Sequence, residues 1–142
     1  LGWAIVPEVL VRPMERLAQN LFISPPTLSQ HAALAAFDGL DELNGHVARY
    51  QVNRDLLLEE LPKAGFDRFA PADGAFYLYA DVRELTQDSG AFCRRILAET
   101  GVALTPGTDF DLERGHTSLR ISYAGSTQEL KEAVRRLKAW RP

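Results

Sequence analysis

The chain contains a single cysteine, Cys93, so an internal disulfide is excluded. Its neighbours at helical spacing, Phe92, Ile96 and Leu97, mark it as a small buried hydrophobe rather than a catalytic thiol. Long apolar runs are also missing. None approaches the roughly 20 residues needed to span a bilayer, and the first residues show no charged segment followed by an apolar one, as a signal peptide would. Charge of one sign is not in excess: 19 acidic and 16 basic residues give a formal net charge of −3. They form no basic stripe to meet a phosphate backbone, which argues against nucleic acid as a partner. His31, His46 and His116 lack metal-ligand spacing with one another or with Cys93. The acidic loop residues Asp109, Asp111 and Glu113 lack the glycine and terminal glutamate of a calcium loop. No metal site is expected. Repeats and low-complexity segments are absent too. A length of 142 residues with 46% hydrophobic and 25% charged side chains is enough for a substantial core. The expectation is a soluble, cytoplasmic chain.

The opening segment, Leu1 to Pro7, reads as an apolar strand without an initiator methionine. That is an odd place for a natural terminus, and membership of a longer polypeptide is expected. Pro7 suits the first turn of a helix carrying Leu10, Met14 and Leu17, with Pro13 as a kink or break. Ser24-Pro25-Pro26-Thr27 interrupts it, Thr27 caps an alanine-rich helix over His31 to Phe37, and Gly39 ends that helix. From Asp41 a long helix follows, with Leu43, Val47, Tyr50, Arg54, Leu57 and Leu61 on one stripe and Arg49, Asn53 and Glu60 outside it. Pro62 and Gly65 stop it.

The pattern then turns mixed. Phe66 to Phe69 and Ala75 to Ala80 read as a hairpin turning through Pro71 to Gly74, with Tyr77 and Tyr79 packed on one face. Ser89 to Thr100 reads as a helix closed by a left-handed Gly101, and Val102 to Thr105 as a short strand. Leu119 to Tyr123 is the last strand, and Ser126-Thr127-Gln128-Glu129 is a capping box for a terminal helix burying Leu130, Val134 and Leu137. The order β-β-α-β-β-α predicts an α/β (α+β) domain: a small, mainly antiparallel sheet with helices on one face, preceded by a long helix.

Arg120 is the informative residue. Strand alternation puts Leu119 and Ile121 on the packed face and Arg120 on the other. A guanidinium held on a rigid element takes a carboxylate through two parallel hydrogen bonds. The same spacing also fits a surface salt bridge, and the residues alone leave both readings open.

Taken in order, Leu1-Gly2-Trp3, Ser24-Pro25-Pro26-Thr27 with Gln30, Asp73-Gly74-Ala75-Phe76-Tyr77, Thr105-Pro106-Gly107 and Leu119-Arg120-Ile121-Ser122 give the chain its strongest resemblance. Over nearly its whole length it resembles the C-terminal part of a fold-type I, pyridoxal-phosphate-dependent aminotransferase of class I/II. The resemblance implies that residues 1–37 end a large domain and its interdomain passage, and that residues 38–142 form the small domain. The helix from Asp41 would join the two. It implies that Arg120 grips the α-carboxylate of an amino-acid or 2-oxo-acid substrate and that Phe76 helps wall the site, although hairpin packing explains Phe76 equally well. The intact protein would be a homodimer that moves an amino group between the two substrates. The family often has glycine where Asp111 follows Phe110, a departure that points to a subgroup.

The cofactor needs a Schiff-base lysine. The lysines of this chain, Lys63, Lys131 and Lys138, lack the family's serine-lysine setting and look solvated. The stretch alone is therefore expected to be inert, with no catalytic or cofactor-binding residue of its own. Two other readings keep the same motifs: a stand-alone amino-acid-binding or regulatory module, and a lyase or decarboxylase on the same scaffold.

Overall fold

The computed structural model describes residues 1–140. The chain divides into two compact units, residues 1–45 and 46–142, with the division inside the longest helix.

The first unit is helical. Helix α1 spans Glu8–Leu21 and α2 spans Thr27–Ala35, followed by a 3-10 turn over Ala36–Gly39. The expected opening strand is absent, because no strand among the described residues pairs with Leu1 to Val6, and a ladder needs a partner. Pro13 lies inside α1 without ending it. Its missing N–H leaves the Val9 carbonyl without its helical donor, and the ladder continues on either side. Thr27 is the first residue of α2 rather than its cap, a place taken by Pro26 with no side-chain bond. Gly39 does not stop the chain either; helix α3 begins directly at Leu40 and runs to Glu60. Ring contact between Trp3 and Phe37, 6.3 Å between centroids, holds this unit's own apolar cleft.

The second unit carries the sheet. Strands β1 (Tyr77–Asp81), β2 (Thr105–Pro106) and β3 (Ser118–Ser122) pair antiparallel in the order β1-β3-β2. The expected first hairpin strand shrinks to a single bridge, Phe69 to Ala80, because only Ala70 and Asp81 supply ladder bonds there. Helix α4 (Ser89–Thr100) and helix α5 (Thr127–Trp140) lie against the core. Both end as their sequences dictate. Asp88 accepts from the Ala91 amide at 2.9 Å, and Gly101 closes α4 at φ 72°. The Ser126–Glu129 box opens α5 with reciprocal bonds of 3.1 and 3.2 Å.

The buried stripe of α3 differs from the expected one. Leu43 and Val47 are exposed, while Asn53, Leu57 and Leu61 point inward, each four residues from the next. Asn53 is 0% exposed and fully used. Its amide donates to the carbonyls of Tyr123 at 2.9 Å and Gly125 at 3.0 Å, and its oxygen accepts from the Thr127 hydroxyl at 2.6 Å. A buried asparagine with every bond made fixes one geometry where a leucine would allow several. Its polarity alone reads as outward in the sequence.

Lys63 is exposed, as expected of a solvated side chain, and it and Lys138 share one acidic partner. Lys63 donates to Glu60 at 2.6 Å, and Lys138 donates to the other oxygen of the same carboxylate. Among the described residues no helix is long and apolar enough to cross a membrane, and no group of side chains could hold a metal ion.

Two outcomes are expected. Asn53→Ala should lower unfolding free energy by about 2–4 kcal/mol, since it strands three polar partners in the core; a denaturant titration giving less than about 1 kcal/mol would remove this role. Glu60 is held down to about 2 from its ordinary 4.5, first by the Lys138 hydrogen bond and then by that of Lys63. A carboxyl with a lowered folded value stabilises above its ordinary range and loses that contribution as pH falls toward the folded value. The stability gap between wild type and Glu60→Gln should therefore be constant near neutrality and close below about pH 5. Urea midpoints measured across that range check it, and a gap that widens in acid would contradict the pairing.

Candidate functional site

β3 is the central strand, and its alternation decides what lies on each side of the sheet. Leu119 and Ile121 are 0% and 5% exposed, in register with Ala80 and Leu78 of β1. Arg120 takes the opposite face, between Tyr79 of β1 and Thr105 of β2. Tyr77 is its diagonal neighbour, a separation that long and aromatic side chains bridge. The expected placement of Arg120 is what the structure has.

No carboxylate among the described residues pairs with Arg120, and its Nε is buried without a hydrogen-bond partner. The surface salt bridge weighed from the sequence is therefore absent within these residues. Aromatic rings flank the guanidinium instead. Its Cζ lies 5.5 Å from the centre of the Tyr77 ring and 4.6 Å from that of Phe110. An aromatic face holds a cation without using its N–H donors.

Phe110 comes from the loop between β2 and β3, and sequence reasoning treated it only as a landmark. The available signal was a large aromatic in a short polar stretch, just after Pro106-Gly107. The loop is tightly built. A Cβ on Gly107 would meet the Gly115 carbonyl oxygen at 2.7 Å, and one on Gly115 would meet the Gly107 backbone at 2.3 Å, so both positions exclude side chains. The amides of Phe110 and Asp111 both donate to the Gly107 carbonyl at 2.9 Å. The residue after Phe110 needs no glycine, since positive φ among non-glycine residues is confined to Ile23 and Ala75 in the described chain. Asp111 uses its carboxylate instead, accepting from the Glu113 and Arg114 amides at 2.9 Å. Those backbone bonds, that of Arg114 first, hold its pKa below the usual carboxylate range.

Phe76 lies immediately before β1 and is 44% exposed, so core packing does not account for it. Its ring meets Tyr77 edge-on at 5.7 Å. The preceding residue, Ala75, has φ 62°, a strained value for a residue with a side chain. Tyr123 braces this turn: its hydroxyl lies 3.2 and 3.3 Å from the carbonyls of Gly74 and Ala75, and its amide donates to the Phe76 carbonyl at 2.7 Å. Burial pushes the Tyr123 hydroxyl up from its ordinary pKa.

Other candidates fall away from this face. Cys93 is buried in the core, and desolvation raises its thiol to about 11, an unreactive setting. Lys131 and Lys138 line a cleft of about 450 Å³ with Leu56, Glu60, Val134 and Arg135, which does not include Arg120. Lys63 is paired to that same Glu60. The structure thus brings together Arg120, Tyr77, Phe110 and, through Tyr77, Phe76, and keeps the lysines elsewhere in the unit.

The family model described as aminotransferase class I and II matches residues 1–137. The valine–pyruvate aminotransferase of Mycobacterium tuberculosis is 51% identical over 144 residues, covering 100% of this chain and 37% of that protein. An aspartate aminotransferase of Sulfurisphaera tokodaii is 30% identical, over 97% of this chain and 36% of that protein. A crystal structure of an aminotransferase from Mycobacterium tuberculosis superposes with a TM-score of 0.88 at 51% identity, covering 99% of this chain and 37% of that one. The chain spans little more than a third of the length of these relatives. Sequence motifs, sheet and matched length agree, and the chain belongs to the class I and II aminotransferase family.

Proposed function

We propose that this chain is the C-terminal part of a pyridoxal-phosphate-dependent aminotransferase and that Arg120 supplies its grip on the substrate carboxylate. In this reading residues 1–37 end the large domain and the passage out of it, and residues 38–142 are the small domain. The whole protein would act as a homodimer on an amino acid and a 2-oxo acid. The observation that carries the reading is the uncommitted guanidinium on the open face of the sheet, with Nε buried and unpartnered.

The described residues do not by themselves fit the cofactor. Two lysines are tied to Glu60, the third lines the cleft beside it, and none accompanies Arg120 on its face of the sheet. No step through the cofactor is assigned to this chain. Its own contribution is binding and orientation. Arg120 would take the carboxylate in a bidentate pair, and Phe76 would wall the approach. Fixing the carboxylate end limits rotation of the substrate about the bond to its Cα, which keeps the reacting hydrogen in one direction. Positioning of this kind supplies several kcal/mol of a barrier.

In the full-length protein, Arg120→Ala should reduce kcat/KM for both substrates by roughly 100-fold, two charge-assisted bonds at about 1.5 kcal/mol each. The absorption spectrum of the bound cofactor should stay as in wild type. Steady-state kinetics beside that spectrum make the check, and unchanged kinetics would end the proposed role.

A further inference from the structure

A positively charged side chain on a protein surface is commonly held by a carboxylate. Such a partner uses up N–H donors and neutralises the charge. A ring packed on the guanidinium plane does neither, because the donors lie along the edge and the ring meets the face. The Arg120 guanidinium carbon lies over two rings, those of Tyr77 and Phe110. Tyr77 is fixed by the sheet, but Phe110 is 54% exposed and comes from a loop, yet its ring is the nearer of the two at 4.6 Å against 5.5 Å.

The loop is braced far beyond what an exposed connection needs. Gly107 and Gly115 approach too closely for any side chain. Two consecutive amides, those of Phe110 and Asp111, converge on the Gly107 carbonyl. The Asp111 carboxylate collects two more, and the buried Ser89 hydroxyl donates to the Gly115 carbonyl at 2.7 Å. Together these bonds hold one exposed phenylalanine in a fixed place. Among the described residues the Phe110 ring meets no other ring or cation than this guanidinium.

We propose that Phe110 is a positioning residue for Arg120: its ring sets the plane in which the guanidinium presents its free donors to a carboxylate. The inference deepens the role proposed for Arg120 and rests on it. Loss of the ring leaves the guanidinium charged but free to turn, so its two donors no longer arrive aligned. The effect falls on affinity for the carboxylate more than on turnover.

The test uses the full-length protein with Phe110→Leu, which keeps apolar bulk, and Phe110→Tyr, which keeps the ring. Phe110→Leu should raise KM for the amino acid and for the 2-oxo acid by roughly three- to tenfold, the range of a partly exposed cation–π contact. Phe110→Tyr should stay within about twofold of wild type. Added to Arg120→Ala, Phe110→Leu should change KM no further. Equal losses from Phe110→Leu with and without Arg120 would overturn the proposal, including the case in which the substitution merely loosens the loop. So would wild-type KM for Phe110→Leu, or a loss in Phe110→Tyr as large as that in Phe110→Leu. If Arg120→Ala itself leaves KM and kcat/KM unchanged, the carboxylate grip fails, and with it this inference. If Arg120→Ala impairs binding and Phe110→Leu does not, only the role of the ring fails.

Discussion

Everything at the candidate site depends on the register of β3. The strand is hydrogen-bonded on both sides, and every second residue enters the core. Burying Leu119 and Ile121 stabilises the fold by about 1.5–3 kcal/mol each. A slip of one residue would expose both and drive a guanidinium into the apolar layer, at a cost of several kcal/mol. Arg120 is therefore placed by its neighbours' hydrophobicity, not by any bond of its own. The unpartnered Nε is tolerated because the core residues on either side leave the chain no alternative.

The same economy links the site to α3. Asn53 holds the backbone just past β3 through the Tyr123 and Gly125 carbonyls, while Tyr123 holds the strained turn at Gly74 and Ala75. A line of hydrogen bonds thus runs from a buried helix position to Phe76. The strain at Ala75 persists because the Tyr123 amide and hydroxyl engage both ends of the turn. Phe110 is fixed by different means, through backbone bonds and glycine contacts around Gly107. Two exposed aromatics, Phe76 and Phe110, are thereby held by independent braces.

Much of this was legible in the sequence where local rules act alone. The α4 ends, the capping box of α5 and the facing of Arg120 follow from single residues and strand alternation, and each is found as expected. The failures occur where a long-range partner decides. Leu1 to Val6 is apolar and strand-like, but pairing requires a second strand that the described residues do not supply. Phe66 to Phe69 keeps one bridge, because Ala70 and Asp81 make the only ladder bonds there. Asn53 reads as outward because its polarity outweighs its periodicity, and its acceptor Tyr123 lies seventy residues away in the chain. Phe110 is silent in the sequence because an aromatic in a polar loop carries no periodic signal. Its meaning appears only once the strand beyond the loop has folded back beside it.

The lack of an acid beside Arg120 does not come from scarcity. The chain carries 19 acidic residues against 16 basic ones. Elsewhere in this unit arginines find them readily: Arg83 with Asp81, Arg95 with Glu99, and Arg135 and Arg136 together on Glu132. Those pairs are exposed, and such pairs contribute little to stability. On the face around Arg120 the strand neighbours Tyr77, Tyr79, Thr105, Ser118 and Ser122 are uncharged, and the acid there, Asp81 at the other diagonal, is paired with Arg83. With that acid engaged by Arg83, the Arg120 guanidinium has no paired carboxylate among the described residues. The rings of Tyr77 and Phe110 lie under the charge instead, and its Nε is buried and unpartnered. A guanidinium supported by rings rather than by an acid keeps its N–H donors unspent, and ordering a side chain in advance removes a cost that any later pairing would otherwise carry.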